Sequence, residues 1–178
     1  MSPFKKPSLT AKEKLRPISG FPELLPEERR VELDWIDQIR TIFESYGFAS
    51  IEPRIVEPID VLLKQGDTDK EIYTLGRLLD TLNSDKEPTF GLHYDLTIPM
   101  ARYVAANMGK LDFPFKRYQI QKAWRGERPQ DGRFREFMQC DIDVVDTREV
   151  PLHFDVEIPA IMNLSLIHIS EPTRRRGI

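Results

Sequence analysis

The sequence lacks what a secreted, membrane-spanning or metal-scaffolded protein needs. It has one cysteine, Cys140, which cannot form an internal disulfide. That excludes a disulfide scaffold and a cysteine zinc site, and it suits a reducing cytosol. The three histidines, His93, His153 and His168, are scattered without metal-ligand spacing, and none is read as a ligand. No apolar run approaches the ~20 residues of a membrane span. Met1 to Leu15 is polar and Lys-bearing with no apolar h-region, so it does not read as a secretory signal, and a cytoplasmic location is expected. Net positive charge is missing as well: 26 Lys and Arg against 29 Asp and Glu leave −3. A protein that simply coats nucleic acid is globally basic, so any such contact here must be local. What remains is a globular balance, 40% hydrophobic and 31% charged over 178 residues, enough for one domain with or without an arm.

Met1 to Arg16, with Pro3, Pro7 and several lysines, reads as a flexible or extended arm. A helix is expected over Pro26 to Tyr46. Pro26 suits its first position, Glu27 and Glu28 suit the positive end of its dipole, and Gly47 ends it. Val31, Trp35, Ile39, Ile42, Phe43 and Tyr46 follow at helical spacing and predict one buried face. Phe48 to Pro58 reads as a short strand interrupted by Pro53, which lacks an N–H and belongs at an edge, a bulge or an interface. Ile59 to Leu63 reads as a helical turn, Lys64 to Lys70 as a polar loop, Glu71 to Leu75 as a strand and Leu82 to Pro88 as a turn cluster. A further strand, Phe90 to Tyr94, leads to a helix over Pro99 to Met108.

Alternation is strongest over Phe115 to Trp124 and Phe137 to Val145, a long hairpin with a loop of roughly twelve residues, beyond the usual two to five. In the second strand Met138, Cys140, Ile142 and Val144 share an apolar face, and Gln139, Asp141 and Asp143 share the other. In the first, Tyr118, Ile120 and Trp124 oppose Arg117, Gln119, Gln121 and Arg125. The polar face is open to two readings: a sheet face in water, the commoner case, or a built binding surface. The loop bears on this. Between Lys116 and Arg135 seven basic residues meet two acidic ones, Glu127 and Asp131, a local charge of +5 in a chain of −3. Five of the seven are arginines, the side chain suited to bidentate phosphate and carboxylate recognition. Set in a Pro/Gly loop beside a carboxylate-bearing strand, they suit a polyphosphate next to an ammonium-bearing or amide-bearing ligand.

Arg125-Gly126-Glu127-Arg128-Pro129-Gln130, followed by Gly132-Arg133-Phe134-Arg135-Glu136-Phe137 and Gln139, resembles motif 2 of histidyl-tRNA synthetase, a class II aminoacyl-tRNA synthetase. Leu92-His93-Tyr94-Asp95-Leu96-Thr97-Ile98-Pro99, with Ala101-Arg102-Tyr103, resembles the amino-acid-binding segment of that family. The helix to Tyr46 followed by Pro53-Arg54-Ile55-Val56-Glu57 resembles motif 1, whose proline sits at the dimer interface. The likeness runs in order from about Phe21 to Ile161. It implies an α+β fold, a class II synthetase-like antiparallel sheet flanked by helices, here truncated.

The resemblance also implies chemistry. Histidine and ATP would form histidyl-adenylate and pyrophosphate, and histidine would then pass to tRNA-His. Mg2+ would come with ATP, its ligands not identifiable. Arg125 would bridge the histidine carboxylate and the α-phosphate. Glu127 would meet the adenine side of ATP and Arg133 the outer phosphates. Asp95, Thr97 and Gln139 would hold the substrate amino group, and Asp143 its imidazole or amino group. Arg128 and Gln130 would approach the tRNA acceptor end. A homodimer is implied, and no membrane. Two of these residues carry a purely structural alternative, since either Thr97 or Asp95 could cap the helix that follows.

The likeness stops before the further motifs and the anticodon-binding domain of the family. Residues 1–20 are therefore read as an arm, 21–164 as a partial catalytic core with motifs 1 and 2, and 165–178 as a non-native tail. The segment after Asn163, Leu164-Ser165-Leu166-Ile167-His168-Ile169-Ser170-Glu171-Pro172-Thr173-Arg174, resembles a translated sequencing adaptor; a genuine basic tail is the alternative. The expectation is a histidine–tRNA ligase fragment, inactive alone. The competing reading is the regulatory subunit of ATP phosphoribosyltransferase, a non-catalytic paralogue. Arg125, Glu127 and Arg133, present together, favour the ligase.

Overall fold

The computed structural model describes residue 10 and residues 15–63, 71–77 and 87–170. The loop expected over Lys64 to Lys70, most of the turn cluster Leu82 to Pro88, most of the arm and residues 171–178 lie outside the described residues. The elements run α1 (Pro26–Ser45), β1 (Ala49–Ser50), β2 (Val56–Pro58), α2 (Ile59–Leu62), β3 (Thr74–Leu75), β4 (Phe90–Leu92), α3 (Thr97–Asn107), a 3₁₀ turn (Met108–Lys110), β5 (Phe115–Trp124), β6 (Glu136–Val145) and α4 (Phe154–Ser170). The fold is α+β, as expected, but the strands form two three-stranded sheets: β1-β5-β6 and β2-β4-β3. The first is mixed, because β1 pairs parallel to β5. The second is antiparallel throughout. Pro53 explains the division. The segment read as one interrupted strand becomes β1 on one side of it and β2 on the other, in different sheets.

The chain gathers into two compact units. One comprises Met1–Glu23, Pro53–Tyr103 and Lys122–Gln139; the other comprises Leu24–Glu52, Val104–Gln121 and Cys140–Ile178.

In the second unit, α1 starts at Pro26, and the Glu28 carboxylate accepts the backbone N–H of Leu25 at 2.8 Å, half of a capping box. Gly47, at φ 79°, ends it, with the Gly47 and Phe48 amides returning to the carbonyls of Glu44 and Phe43. Phe43, Phe48, Tyr118, Ile142 and Ile161 form the core, with Ile39, Ile42, Ile120, Cys140 and Val144 against it. The expected apolar face of the hairpin is therefore real. Of its β6 members, Ile142 is buried and Met138, Cys140 and Val144 are half-buried. The expected face of α1 is only half right. Ile36 and Phe43 are buried and Ile39 and Ile42 pack on the core, but Val31, Trp35 and Tyr46 are exposed. Helix α4 runs unbroken through the point where family-like sequence was expected to stop. Ser165 is buried there and donates its hydroxyl to the Met162 carbonyl at 2.8 Å.

In the first unit, Glu57 on β2 is wholly buried and accepts from Arg54 at 2.8 Å and from Arg102 of α3 at 2.6 Å. This ion triad ties strand to helix where no apolar contact could hold a charge.

Candidate active site

The loop between β5 and β6 is built rather than slack. The Arg125 amide donates to the Arg135 carbonyl at 2.8 Å, closing its base. The carbonyl of Gly20 accepts the amides of both Arg135 and Glu136, at 2.7 and 3.0 Å. The tip is pinched by reciprocal backbone bonds between Gln130 and Arg133, at 3.1 and 3.0 Å, around Asp131-Gly132. Gly132 has φ 73°, the left-handed conformation that such a tight turn requires. Arg128 and Gln130 stand exposed near this tip. Gly126 passes so close to Glu71 that a Cβ would sit 3.0 Å from its carbonyl oxygen.

Arg125 leaves the end of β5 with its guanidinium 4.5 Å from the Tyr94 ring centre and 5.0 Å from that of Phe137. Its Nε donates to the Tyr94 carbonyl at 3.3 Å. Two π faces and one acceptor thus fix the cation at the loop mouth. Burial raises the pKa of the Tyr94 phenol, the Arg125 charge opposes that, and Glu71 and Glu127 add to it. The segment carrying Tyr94 is anchored by its neighbour His93, which is wholly buried. The His93 Nε2 lies 2.7 Å from the Lys122 carbonyl, so the ring proton sits on Nε2. The Trp124 amide donates to the His93 carbonyl at 3.3 Å, and the two rings pack 5.5 Å apart.

Glu127 and Arg133 are brought together, though as partners of each other: they form an ion pair. Glu127 also accepts from the Tyr94 hydroxyl at 3.3 Å. Asp95 decides the capping question. Its Oδ1 accepts the amides of Thr97 and Ile98 at 3.2 and 3.3 Å, so Asp95 caps α3 and Thr97, exposed, is its first residue. This also explains why α3 begins two residues before the expected Pro99. Gln139 is half-buried on β6.

Asp143, in the second unit, also lies on β6. Arg117 pairs with it and Trp124 donates to Glu136, so β5 and β6 run antiparallel. Arg117 and Gln119 are wholly buried, which corrects the reading of this polar face as one in water. Arg117 Nη1 approaches Gln119 Oε1 at 3.4 Å and Gln119 Nε2 donates to Gln121 Oε1 at 2.7 Å, while the buried Arg117 Nε has no hydrogen-bond partner among the described residues. Burial lowers the Arg117 pKa against the pull of Asp143 and Asp141. Burial raises that of Asp143, Arg117 opposes it, and Asp141 adds to it. Asp143 lines a cleft of about 250 Å³ with Cys140, Asp141, Ile142, Ile158 and Met162.

Among the described residues no group of three His, Cys, Asp or Glu could hold a metal ion, and no helix is long and apolar enough to cross a membrane.

The family model described as histidyl-tRNA synthetase matches residues 20–170. This chain belongs to the histidyl-tRNA synthetase family. It is 57% identical over 156 residues to a histidine–tRNA ligase of Thermobifida fusca, covering 88% of this chain and 36% of that protein. To the ligase of Bifidobacterium animalis it is 54% identical over 157 residues, covering 86% and 34%. The crystal structure of histidyl-tRNA synthetase from Nostoc sp. superposes with TM-score 0.73 at 42% identity, over 85% of this chain and 34% of that one. An ATP phosphoribosyltransferase regulatory subunit/histidyl-tRNA synthetase from Bacillus halodurans shares the fold at TM-score 0.71 and 21% identity. The chain thus spans about a third of the length of the curated relatives it matches.

Sequence reasoning gave no role to four side chains that hold the predicted residues: Tyr94 and Phe137 around Arg125, His93 beneath Tyr94, and Arg117 behind Asp143. Parity did put Arg117 on the polar face. Its complete burial had no signal in a single strand.

Proposed function

We propose that this chain is the motif 1 and motif 2 segment of a histidine–tRNA ligase, an enzyme that activates histidine with ATP and passes it to tRNA-His as a homodimer. The observation that carries the reading is Arg125, a cation clamped between Tyr94 and Phe137 at the mouth of a rigid basic loop. The first step is attack by the histidine carboxylate on the α-phosphate with loss of pyrophosphate. It needs two anions brought together and their charge neutralised, which a pre-oriented guanidinium supplies. Arg125 bridges carboxylate and α-phosphate. Glu127 and Arg133 hold each other, so binding ATP exchanges their ion pair for the adenine side and the outer phosphates. Asp95 and Thr97 at the start of α3, with Gln139, receive the substrate amino group, and Asp143 the imidazole. Arg128 and Gln130 at the exposed tip meet the acceptor end of the tRNA. Mg2+ enters with ATP.

The regulatory-subunit alternative has less support: the relatives at 54–57% identity are named histidine–tRNA ligases, and the regulatory-subunit match is at 21%. The test is a chimera, the Thermobifida fusca ligase with residues 20–163 of this chain in place of its matching segment. It should catalyse histidine-dependent ATP–pyrophosphate exchange. Arg125→Ala in it should lower exchange by two or more orders of magnitude, about 3 kcal/mol, the scale for one donor aimed at transition-state charge. Near-normal exchange by that variant overturns the assignment.

A further inference from the structure

We propose that Arg117 is a positioning residue for histidine recognition, a guanidinium sealed inside the fold that fixes the carboxylate of Asp143 in one orientation. The proposal rests on the reading of Asp143 as the contact to the substrate imidazole or amino group.

Three observations carry it. Arg117 is 0% exposed, and the Asp143 side chain is 41% exposed. One partner is locked inside while the other keeps a face open on the cleft it lines with Ile158 and Met162. An arginine cannot shed its proton, so a buried guanidinium imposes a positive charge on whatever carboxylate it meets. Among the described residues, Asp143 has one polar partner, and that is Arg117. Removing the guanidinium therefore leaves nothing in the described fold to orient the carboxylate. The guanidinium in turn is steadied by Gln119, itself held through Gln121. Rigid support behind a ligand-contacting carboxylate is what preorganised recognition requires.

A purely structural pair would behave differently. Loss of a strut between β5 and β6 would disturb all substrates together, whereas loss of orientation at Asp143 should fall on histidine alone. The experiment measures KM for histidine and for ATP, and kcat, by pyrophosphate exchange in the chimera. The variants are Asp143→Asn, Arg117→Met and Arg117→Lys, each checked by its thermal midpoint. Arg117→Met should raise histidine KM by about tenfold or more, with ATP KM within twofold, the scale of losing one charge-assisted hydrogen bond. Arg117→Lys, which keeps the charge, should recover part of that loss. A raised histidine KM in Asp143→Asn with none in Arg117→Met overturns the positioning role and leaves the Asp143 reading standing. An unchanged histidine KM in Asp143→Asn overturns that reading instead. Equal rises for both substrates in Arg117→Met, tracking its thermal midpoint, reduce Arg117 to a strut and also refute the proposal. If Arg117→Met does not fold, Arg117→Lys decides: a histidine-selective rise supports the role, and a rise for both substrates refutes it.

Discussion

Glu57 offers a test in which exposure alone sets the outcome. Its carboxylate is 0% exposed and held by two arginines of unequal burial, Arg102 at 26% exposed and Arg54 at 56%. Arg102→Met removes the better-buried partner. A carboxylate in the interior then keeps only a cation that water already screens. Breaking a buried pair costs about 3–5 kcal/mol, and the surviving Arg54 pulls this to the lower end, about 3 kcal/mol. Arg54→Met removes a partner more than half in solvent and should cost under about 1 kcal/mol. For a chain of this size a urea m-value of about 2 kcal/mol/M turns 3 kcal/mol into a midpoint shift of about 1.5 M. The assay is urea unfolding of the 178-residue chain followed by circular dichroism. A double variant, Glu57→Leu with Arg102→Met, should be more stable than Arg102→Met alone, since it removes the stranded charge as well. If Arg54→Met costs as much as Arg102→Met, burial does not govern this triad and the reasoning fails.

The Cys140 thiol, pushed up to about 11 by burial and by the nearby Asp141 and Glu32 charges, should react with iodoacetamide at pH 8 on the order of a hundredfold more slowly than free cysteine; an equal rate would refute that. Burial alone would raise the pKa of Glu136, but hydrogen bonds from Lys122 and Trp124 and the Lys122 charge outweigh it and leave it lowered. Its contribution is therefore present above the ordinary carboxylate pKa and disappears as pH falls through the lowered one. Glu136→Gln should cost about 1 kcal/mol at pH 7, and the gap in urea midpoint should close in acid; a gap that widens in acid contradicts the sign. Gly20→Ala should destabilise by at least about 1 kcal/mol, since Gly20 has φ 84° and a Cβ there would lie 2.7 Å from Arg135 Cγ. An unchanged urea midpoint would show that the Gly20 backbone had relaxed.

The long elements were legible because they obey strong periodicities. β5, β6 and α1 lie within a residue of their expected ends, fixed by alternation, by Pro26 and by Gly47. The break at Pro53 was legible too, because a residue without an N–H cannot continue a ladder. What it separated was not, since two sheets instead of one is a matter of which strands meet in space. Trp35 was assigned to the core from helical spacing and stands 44% exposed, while Ile42, a heptad further on and on the same stripe, packs on the core: period alone does not say how far along a helix its apolar stripe is covered. At the candidate site the charged residues announced themselves. The groups that steady them did not: nothing in the alternation of β5 distinguishes a sealed Arg117 from a solvated one, and only pairing with β6 makes that burial tolerable.

Both legs of the basic loop are bolted down at the same height. The Gly20 carbonyl holds Arg135 and Glu136, Glu71 holds the amide of Gly126 at 2.7 Å, and the Arg125 amide closes the two legs on each other. Above these fixings Glu127 is tied again, its carbonyl accepting from Arg135 Nε at 2.9 Å and its carboxylate pairing with Arg133, and the tip is clipped into a single tight turn. A load placed on the exposed tip is borne by these bonds, while the Arg125 guanidinium has its own supports in Tyr94 and Phe137. A loop fastened this way offers Arg128 and Gln130 to solvent at one end without loosening the cation held at the other.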